Sequence, residues 1–440
     1  MAVALNSFVL ENCSIAKAGG LVVENVLIEN GVIKEITSKK IPSKKTIDCH
    51  ESFLLPGAID CHVHFRSPGF EEKEGWISGS MAAASGGVTT VLDMPNTNPP
   101  TISADALELK RQIAQKSALV NFGFHFGATE SNLREIGQAL RIASIKIFIG
   151  KSTGGLFLGE REKIRKVFGM AKKKNFAVCV HAEDQKIIEK NERRYRDSTD
   201  LMNHSKIRTA LAESEAIEMV LGIQKTEGNR LHICHVSSKE GVKLLREAKE
   251  SQPGVTCEAT PHHLLLTEKD LPRLHNFGEV NPAIKSERDR AALWSGIRDG
   301  TIDCVASDHA PHLVSEKHQE YWSAPAGMPG VETLLPIMVD AAASKKISFE
   351  KLISLTSRSP AKIFGIKNKG ELKNGFDADI ALFGLEKTRT VSNKKLFTKC
   401  GWSAFDSLKL KGTLEKTIIG GEIVFGGGIF NKTFRGKEVF

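Results

Sequence analysis

Two textures of hydrophobic and polar positions alternate along the chain. From Phe8 to Ile36, short β-type runs (FVLENCSI, VENVLIENGVIKEI) are broken by Gly and Asn-Gly, the pattern of hairpins in a small sheet. The same texture returns in ADIALFG and KTIIGGEIVFGGG, which predicts that residues 1–55 and 366–440 pair into one small β-sandwich domain. Between them, over 56–365, eight apolar strand-like runs follow one another: PGAID, GGVTTVLDM, LVNFGFHFG, IKIFIG, FAVCVHAE, LHICHVS, VTCEATPHH and IDCVASDHA. Amphipathic stretches such as ADALELKRQIAQKS and AESEAIEMVLGIQKTEG fill the gaps. Repeated βα units predict an α/β fold, a parallel (β/α)8 barrel of the TIM type, and 440 residues accommodate it beside a small second domain.

Composition narrows the partners. With 41% hydrophobic and 26% charged residues the chain is neither disordered nor fibrous. Its apolar runs fall short of the roughly 20 residues that span a bilayer, and Met1 to Gly20 lacks the layout of a signal peptide, so a cytoplasmic protein without membrane contact is expected. The formal charge of +9 is spread over short runs such as Lys39-Lys40, Lys172 to Lys174 and Arg193-Arg194, which solvated helix faces explain. With no basic stripe or motif, no nucleic acid is expected, whereas a small anionic substrate would be drawn to a basic protein. Eight cysteines without a CxxC pair, several inside apolar segments, read as reduced buried thiols.

The candidate chemistry begins with His62 and His64. On a strand, side chains at i and i+2 share a face, so both imidazoles can address one ion, although for a bare HxH two ordinary histidines are an equal reading. The balance shifts with Lys146 in the fourth run, His181 ending the fifth, His235 ending the sixth and Asp308 ending the eighth. All are expected on barrel strands, mostly at the C-terminal rim where such a barrel carries its active site. A protonated lysine cannot ligate a metal, but as a carbamate formed with carbon dioxide Lys146 offers two oxygens that bridge two cations. His62, His64 and Asp308 would then complete one site, and His181 and His235 the other; a salt-bridged lysine is the alternative. A two-cation centre generates hydroxide at neutral pH and polarises a carbonyl, the parts needed to hydrolyse an amide, with Asp308 carrying the proton to the departing nitrogen. Histidine and oxygen ligands point to zinc, with manganese, cobalt and iron open.

These residues resemble the amidohydrolase superfamily and, within it, the dihydroorotases. The matching pieces are HVHFRSPG at 62–69, DMPNTNP at 93–99, IKIFIG at 145–150, VHAED at 180–184, CHVSS at 234–238, TPHHL at 260–264 and SDHAPH at 307–312. The closing NKGELKNGFDADIALF resembles the family's return from barrel to small domain. The resemblance implies that His62, His64, carbamylated Lys146, His181, His235 and Asp308 hold two zinc ions. Some dihydroorotases use an aspartate where Lys146 stands, but the loop GKSTGG offers none.

Allantoinases and hydantoinases resemble the same scaffold, so the substrate is the sharper question. Dihydroorotate carries a ring carboxylate, which calls for a forked cation and neutral donors. Arg66, Asn96 and His312 match the dihydroorotase pattern for that group, which allantoinases lack. Taken singly, Arg66 reads as a surface ion pair and Asn96 as a turn residue before Pro99-Pro100. Asn281 in VNPAIKSERDR and the backbone of Ala326 and Gly327 in APAGMPGVET resemble substrate-contacting loops.

The implied activity is the reversible cyclisation of N-carbamoyl-L-aspartate to L-dihydroorotate in pyrimidine (UMP) biosynthesis. Another cyclic amidase, such as an allantoinase or hydantoinase, is the nearest rival. A catalytically silent scaffold, for instance for an aspartate carbamoyltransferase, is the other, but all six ligand positions are filled here. Relatives are often dimers or larger, so a homo-oligomer is expected, a dimer favoured, with carbamoyltransferase association open. His125, alternating with Phe122, Phe124 and Phe126, reads as barrel packing. His309 should point away from the site, and His262 and His263 should orient loops or bond backbone.

Overall fold

The computed structural model describes residues 7–151 and 155–440; residues 1–6, and 152–154 of the GKSTGG loop, lie outside the described residues. Eight parallel strands pair in chain order: β1 (Ala58–Val63), β2 (Val88–Asp93), β3 (Asn121–Gly127), β4 (Ser144–Phe148), β5 (Ala177–His181), β6 (Arg230–Ile233), β7 (Val255–Ala259) and β8 (Cys304–Val305). The first and last strands meet just past their ends, where the His64 N–H donates to the His309 carbonyl at 2.8 Å, and the barrel is nearly closed. Every run expected as a barrel strand contributes one.

Helices between the strands form where the polar and apolar positions predict them. Helix Ala104–Ser117 starts on Ser103, whose hydroxyl accepts the Ala106 N–H, and it buries Ala106, Leu107, Lys110, Arg111 and Ala114 toward the barrel. Helix Ala210–Glu227 starts on Thr209 and stops at Gly228, which takes the left-handed φ of 65° that favours glycine.

Outward side chains of β3 pack as an aromatic cluster in which Trp76 meets Phe122 and Phe124 edge-on. Inside, the floor of the barrel is filled by Ile59, Cys61, Leu92, Cys179, Cys234, Cys304 and Ala306, with Phe364 and Phe440 packed beneath. All eight cysteines are buried and free, as expected from their apolar settings. His125 is barrel packing too: Nδ1 meets Ser144 Oγ at 2.6 Å and Nε2 the Cys61 carbonyl at 3.0 Å.

One buried ion pair fixes the first barrel turn. Lys110 Nζ lies 2.5 Å from Asp93 Oδ2, both side chains are fully buried, and Asp93 Oδ1 accepts the Phe65 N–H at 2.7 Å beside His64 and Arg66. Lys110→Met would leave a carboxylate buried without its cation, so urea unfolding should show a loss of about 3–5 kcal/mol. A loss below about 1 kcal/mol would contradict this account of the turn.

Both ends of the chain share a nine-stranded sheet among the described residues. Strands Ser7–Lys17, Gly20–Glu29 and Val32–Thr37 form the N-terminal part, and Ile380–Thr390, Lys409–Ile419 and Glu422–Gly426 the C-terminal part, joined through Phe53–Pro56. Asn30 and Gly31, at φ of 53° and 79°, make the tight turn that Asn-Gly predicts. The sheet curls until Ile33 exchanges backbone hydrogen bonds with Phe376 and Gly375, so its layers enclose Leu10, Ile28, Ile33, Leu54, Ile380 and Ile418 as a sandwich. Segment 436–440 runs back to the barrel, where the Val439 N–H donates to the Phe122 carbonyl at 3.0 Å. Among the described residues no helix is long and apolar enough to cross a membrane.

Candidate metal centre

His62 on β1, Lys146 on β4 and His181 at the end of β5 sit on strands, as expected. His64, His235 and Asp308 do not: they fall just beyond β1, β6 and β8. The backbone explains the latter two, because His235 and Asp308 take positive φ of 35° and 46°, which lifts them off the ladder and turns them over the barrel mouth. Arg66, at φ 61°, leaves the end of β1 in the same way.

Five of the six side chains, the four histidines and Asp308, converge. His62, His235 and Asp308 present ligand atoms within 4.8 Å of one another, and the His181 and His235 ring centroids are 4.8 Å apart. Hydrogen bonds on the far side of each ring set which nitrogen faces inward. His62 Nδ1 lies 2.5 Å from Glu258 Oε1 and His64 Nδ1 lies 2.7 Å from Asn96 Oδ1, so both rings turn Nε2 to the same Asp308 Oδ1, at 3.3 and 3.1 Å. His181 uses Nε2 for Glu183 at 3.0 Å and turns Nδ1 to His235 Nε2, also at 3.0 Å. Acceptors facing acceptors repel unless a cation lies between them, and this donor set of imidazoles and a carboxylate is one that zinc-type ions take. His235 Nδ1 has no hydrogen-bond partner among the described residues.

Burial holds His64 down to about 3 and pushes His181 and His235 down as well, so these rings are neutral, the ligating form. Burial also opposes a charge on His62, but Glu258 outweighs it and draws the ring up to about 10. Positive charge therefore belongs at His62 Nε2, as a proton or as a metal ion. For Asp308, burial pushes the carboxyl up, yet His62 and the hydrogen bond with His64 overcome it and hold it below the usual carboxylate range. Lys146 is fully buried, its Nζ 2.9 Å from Cys234 Sγ, and among the described residues no carboxylate lies within ion-pair distance of it. The salt-bridged alternative for this lysine thus lacks a partner.

Beside the centre lies a second polar group. Arg66 is buried, donates through Nε to the Pro311 carbonyl at 3.2 Å, and places Nη2 3.1 Å from His312 Nε2, which also lies 3.1 Å from the Ala326 carbonyl. Burial lowers Arg66 to about 10, which leaves it charged at neutral pH, and burial with the Arg66 charge brings His312 down to about 3. Asn96 meets the metal centre at His64, its Oδ1 2.7 Å from Nδ1. Gly327 follows at φ 139°, where a Cβ would lie 2.7 Å from the Ala310 carbonyl oxygen, so glycine is required. Asn281 places its Oδ1 3.1 Å from His204 Nε2.

Other residues here were not legible as functional. Glu258 orients His62; its signal was an acid inside the apolar run VTCEA. Glu183 holds His181 and is itself clamped by Arg208. Trp402, far along the chain, donates to the His312 carbonyl at 2.7 Å, and buried Lys317 gathers the Pro325 and Gly327 carbonyls at 2.7 and 3.2 Å. His309 turns away, accepting the Gly330 N–H at 3.1 Å, and His263 bonds the Pro282 carbonyl at 3.0 Å, both as expected.

Known proteins resemble this chain in sequence and in fold. The Amidohydrolase family profile matches residues 53–424. A dihydroorotase of Methanosarcina acetivorans is 38% identical over 428 residues, covering 94% of this chain and 91% of the relative. A dihydroorotase of Lactobacillus delbrueckii subsp. bulgaricus is 35% identical, covering 95% and 98%. Among solved structures, the L-hydantoinase (dihydropyrimidinase) of Arthrobacter aurescens superposes with a TM-score of 0.92 at 29% identity, covering 96% of this chain and 97% of that one.

Proposed function

The chain belongs to the amidohydrolase family, and from that premise we propose that it is a dihydroorotase, interconverting N-carbamoyl-L-aspartate and L-dihydroorotate in pyrimidine biosynthesis. It is a hydrolase acting on a cyclic amide. The observation that carries the choice over hydantoin or allantoin is the buried, charged Arg66 beside His312, two residues along the chain from the His64 that meets Asp308. A buried guanidinium with no carboxylate at ion-pair distance among the described residues is costly to keep unless the substrate brings one.

His62, His64 and Asp308 would hold one zinc ion and His181 and His235 a second, with a Lys146 carbamate supplying an oxygen to each. When bound, the ions activate water and polarise the ring carbonyl. The side chains do the rest. Arg66, Asn96 and His312 grip the ring carboxylate, and Asn281 with the backbone at Ala326 and Gly327 frames the ring. Asp308, ionised before hydrolysis, accepts the proton of the attacking water and hands it to the departing ring nitrogen; in the biosynthetic direction it starts protonated. Glu258, Asn96 and Glu183 keep three imidazoles turned inward throughout. We place this enzyme in the cytoplasm, as a homodimer.

Turnover of L-dihydroorotate, hydantoin and allantoin, compared side by side on protein loaded with zinc and bicarbonate, tests the reading. Dihydroorotate should be strongly preferred in kcat/KM. Equal or faster turnover of hydantoin or allantoin would overturn it.

A further inference from the structure

One layer below the centre, inside the barrel, four more potential ligands meet. Cys61 on β1, His232 on β6, Glu258 on β7 and Cys304 on β8 are all buried, and their Sγ, nitrogen and oxygen atoms lie within 4.8 Å of one another. Glu258 Oε2 is 3.4 Å from Cys61 Sγ and 3.1 Å from His232 Nε2, and the Cys304 Sγ lies within 4.8 Å of all three. The 3.4 and 3.1 Å separations are close to the edges of a tetrahedron around an ion with bonds of about 2.0–2.3 Å.

The hydrogen bonds around His232 argue for a cation here. The Thr256 hydroxyl donates its proton to the Leu231 carbonyl at 3.2 Å, so at 2.9 Å from His232 Nδ1 it can only accept. His232 therefore carries its proton on Nδ1 and turns Nε2 onto a carboxylate oxygen. Glu258 Oε1 is meanwhile engaged by His62 and by the His235 N–H at 3.2 Å. Two thiols, one imidazole nitrogen and one carboxylate oxygen thus face a common point, sealed from below by Phe364, whose ring lies 5.5 Å from that of His232.

We propose that Cys61, His232, Glu258 and Cys304 form a separate structural site for a zinc-type divalent cation in the barrel floor. Binding releases the two thiol protons, and the ion takes two thiolates, one neutral imidazole and one carboxylate oxygen. This composition differs from that of the mouth, which has no sulfur ligand, and it suits a closed site without an open position for substrate. Glu258 couples the two levels: one oxygen binds the floor ion while the other holds His62, so filling the floor stiffens the imidazole above it.

The sulfur ligands give the test. Protein reconstituted with cobalt(II) should show a thiolate-to-cobalt charge-transfer band, which the all-nitrogen-and-oxygen mouth cannot produce. The band should disappear in Cys61→Ser and in Cys304→Ser and persist in Cys234→Ser, whose sulfur lies 2.9 Å from Lys146 Nζ and is grouped with His62 and Glu258, outside the proposed four. Zinc content should fall by one ion per chain in the first two variants. Should either variant fail to fold, X-ray absorption of the zinc-loaded wild type decides, with zinc–sulfur scattering at about 2.3 Å expected. The proposal is overturned by a wild type lacking both signals, by a band that survives loss of Cys61 and Cys304, by its loss in Cys234→Ser, or by a Cys61–Cys304 disulfide in the native mass. Because none of these readouts measures turnover, failure here leaves the assignment of activity standing.

Discussion

Asp308→Asn should lower kcat for dihydroorotate hydrolysis by roughly a thousandfold or more while leaving the fold intact. The aspartate has two duties that an amide cannot share. It supplies the anionic oxygen that both His62 Nε2 and His64 Nε2 face, at 3.3 and 3.1 Å, and in the proposed mechanism it moves the proton between water and the departing nitrogen. Positioned proton transfer alone is worth about 10²–10⁴-fold, and loss of an anionic ligand adds to it. The carboxyl is held below its ordinary range once the nearby histidines outweigh burial, so it is ionised at neutral pH and ready to act as a base in hydrolysis. Steady-state kinetics with zinc supplied in excess would check this. Activity within tenfold of the wild type would remove Asp308 from the chemistry.

Arg66→Ala should cost about 2–5 kcal/mol of transition-state binding, roughly 30- to 5000-fold in kcat/KM for dihydroorotate. The loss has a selective signature: residual turnover of hydantoin, which has no carboxylate to grip, should be unchanged. Arg66→Lys should rescue little, because an ammonium cannot reproduce the fork that Nε and Nη2 present between Pro311 and His312. A parallel fall on both substrates would mean that Arg66 supports the loop instead of recognising the ring.

Much of the fold could be read because it is written in local periodicity. Eight apolar runs gave eight barrel strands, ADALELKRQIAQKS became the helix Ala104–Ser117, and Asn30-Gly31 turned a hairpin at the φ values the dipeptide favours. His62 could be placed on β1 for a related reason, since HxH in a strand-like run predicts a shared face, although His64 falls just beyond the strand. What the pattern could not reveal were departures from it. The positive φ at His235 and Asp308 places each past its strand, and no local propensity announces a strained residue whose conformation the surroundings impose. Equally hidden were partners that meet only after folding. Glu258 reaches His62 across 196 positions and Trp402 reaches His312 across 90, and nothing local in the sequence names either partner. Cys61, His232 and Cys304 were likewise hidden, as each is a plausible packing residue until the barrel closes.

The account rests on two cations held by six side chains at the mouth of the barrel, and anomalous diffraction at the zinc edge from crystals grown with zinc and bicarbonate tests that directly. Two peaks about 3.5–4 Å apart are expected at the mouth, with His62, His64 and Asp308 around one, His181 and His235 around the other, and density continuing from Lys146 Nζ between them. A mouth with no zinc, or with zinc bound away from these side chains and Lys146 left as a bare amine, would contradict it.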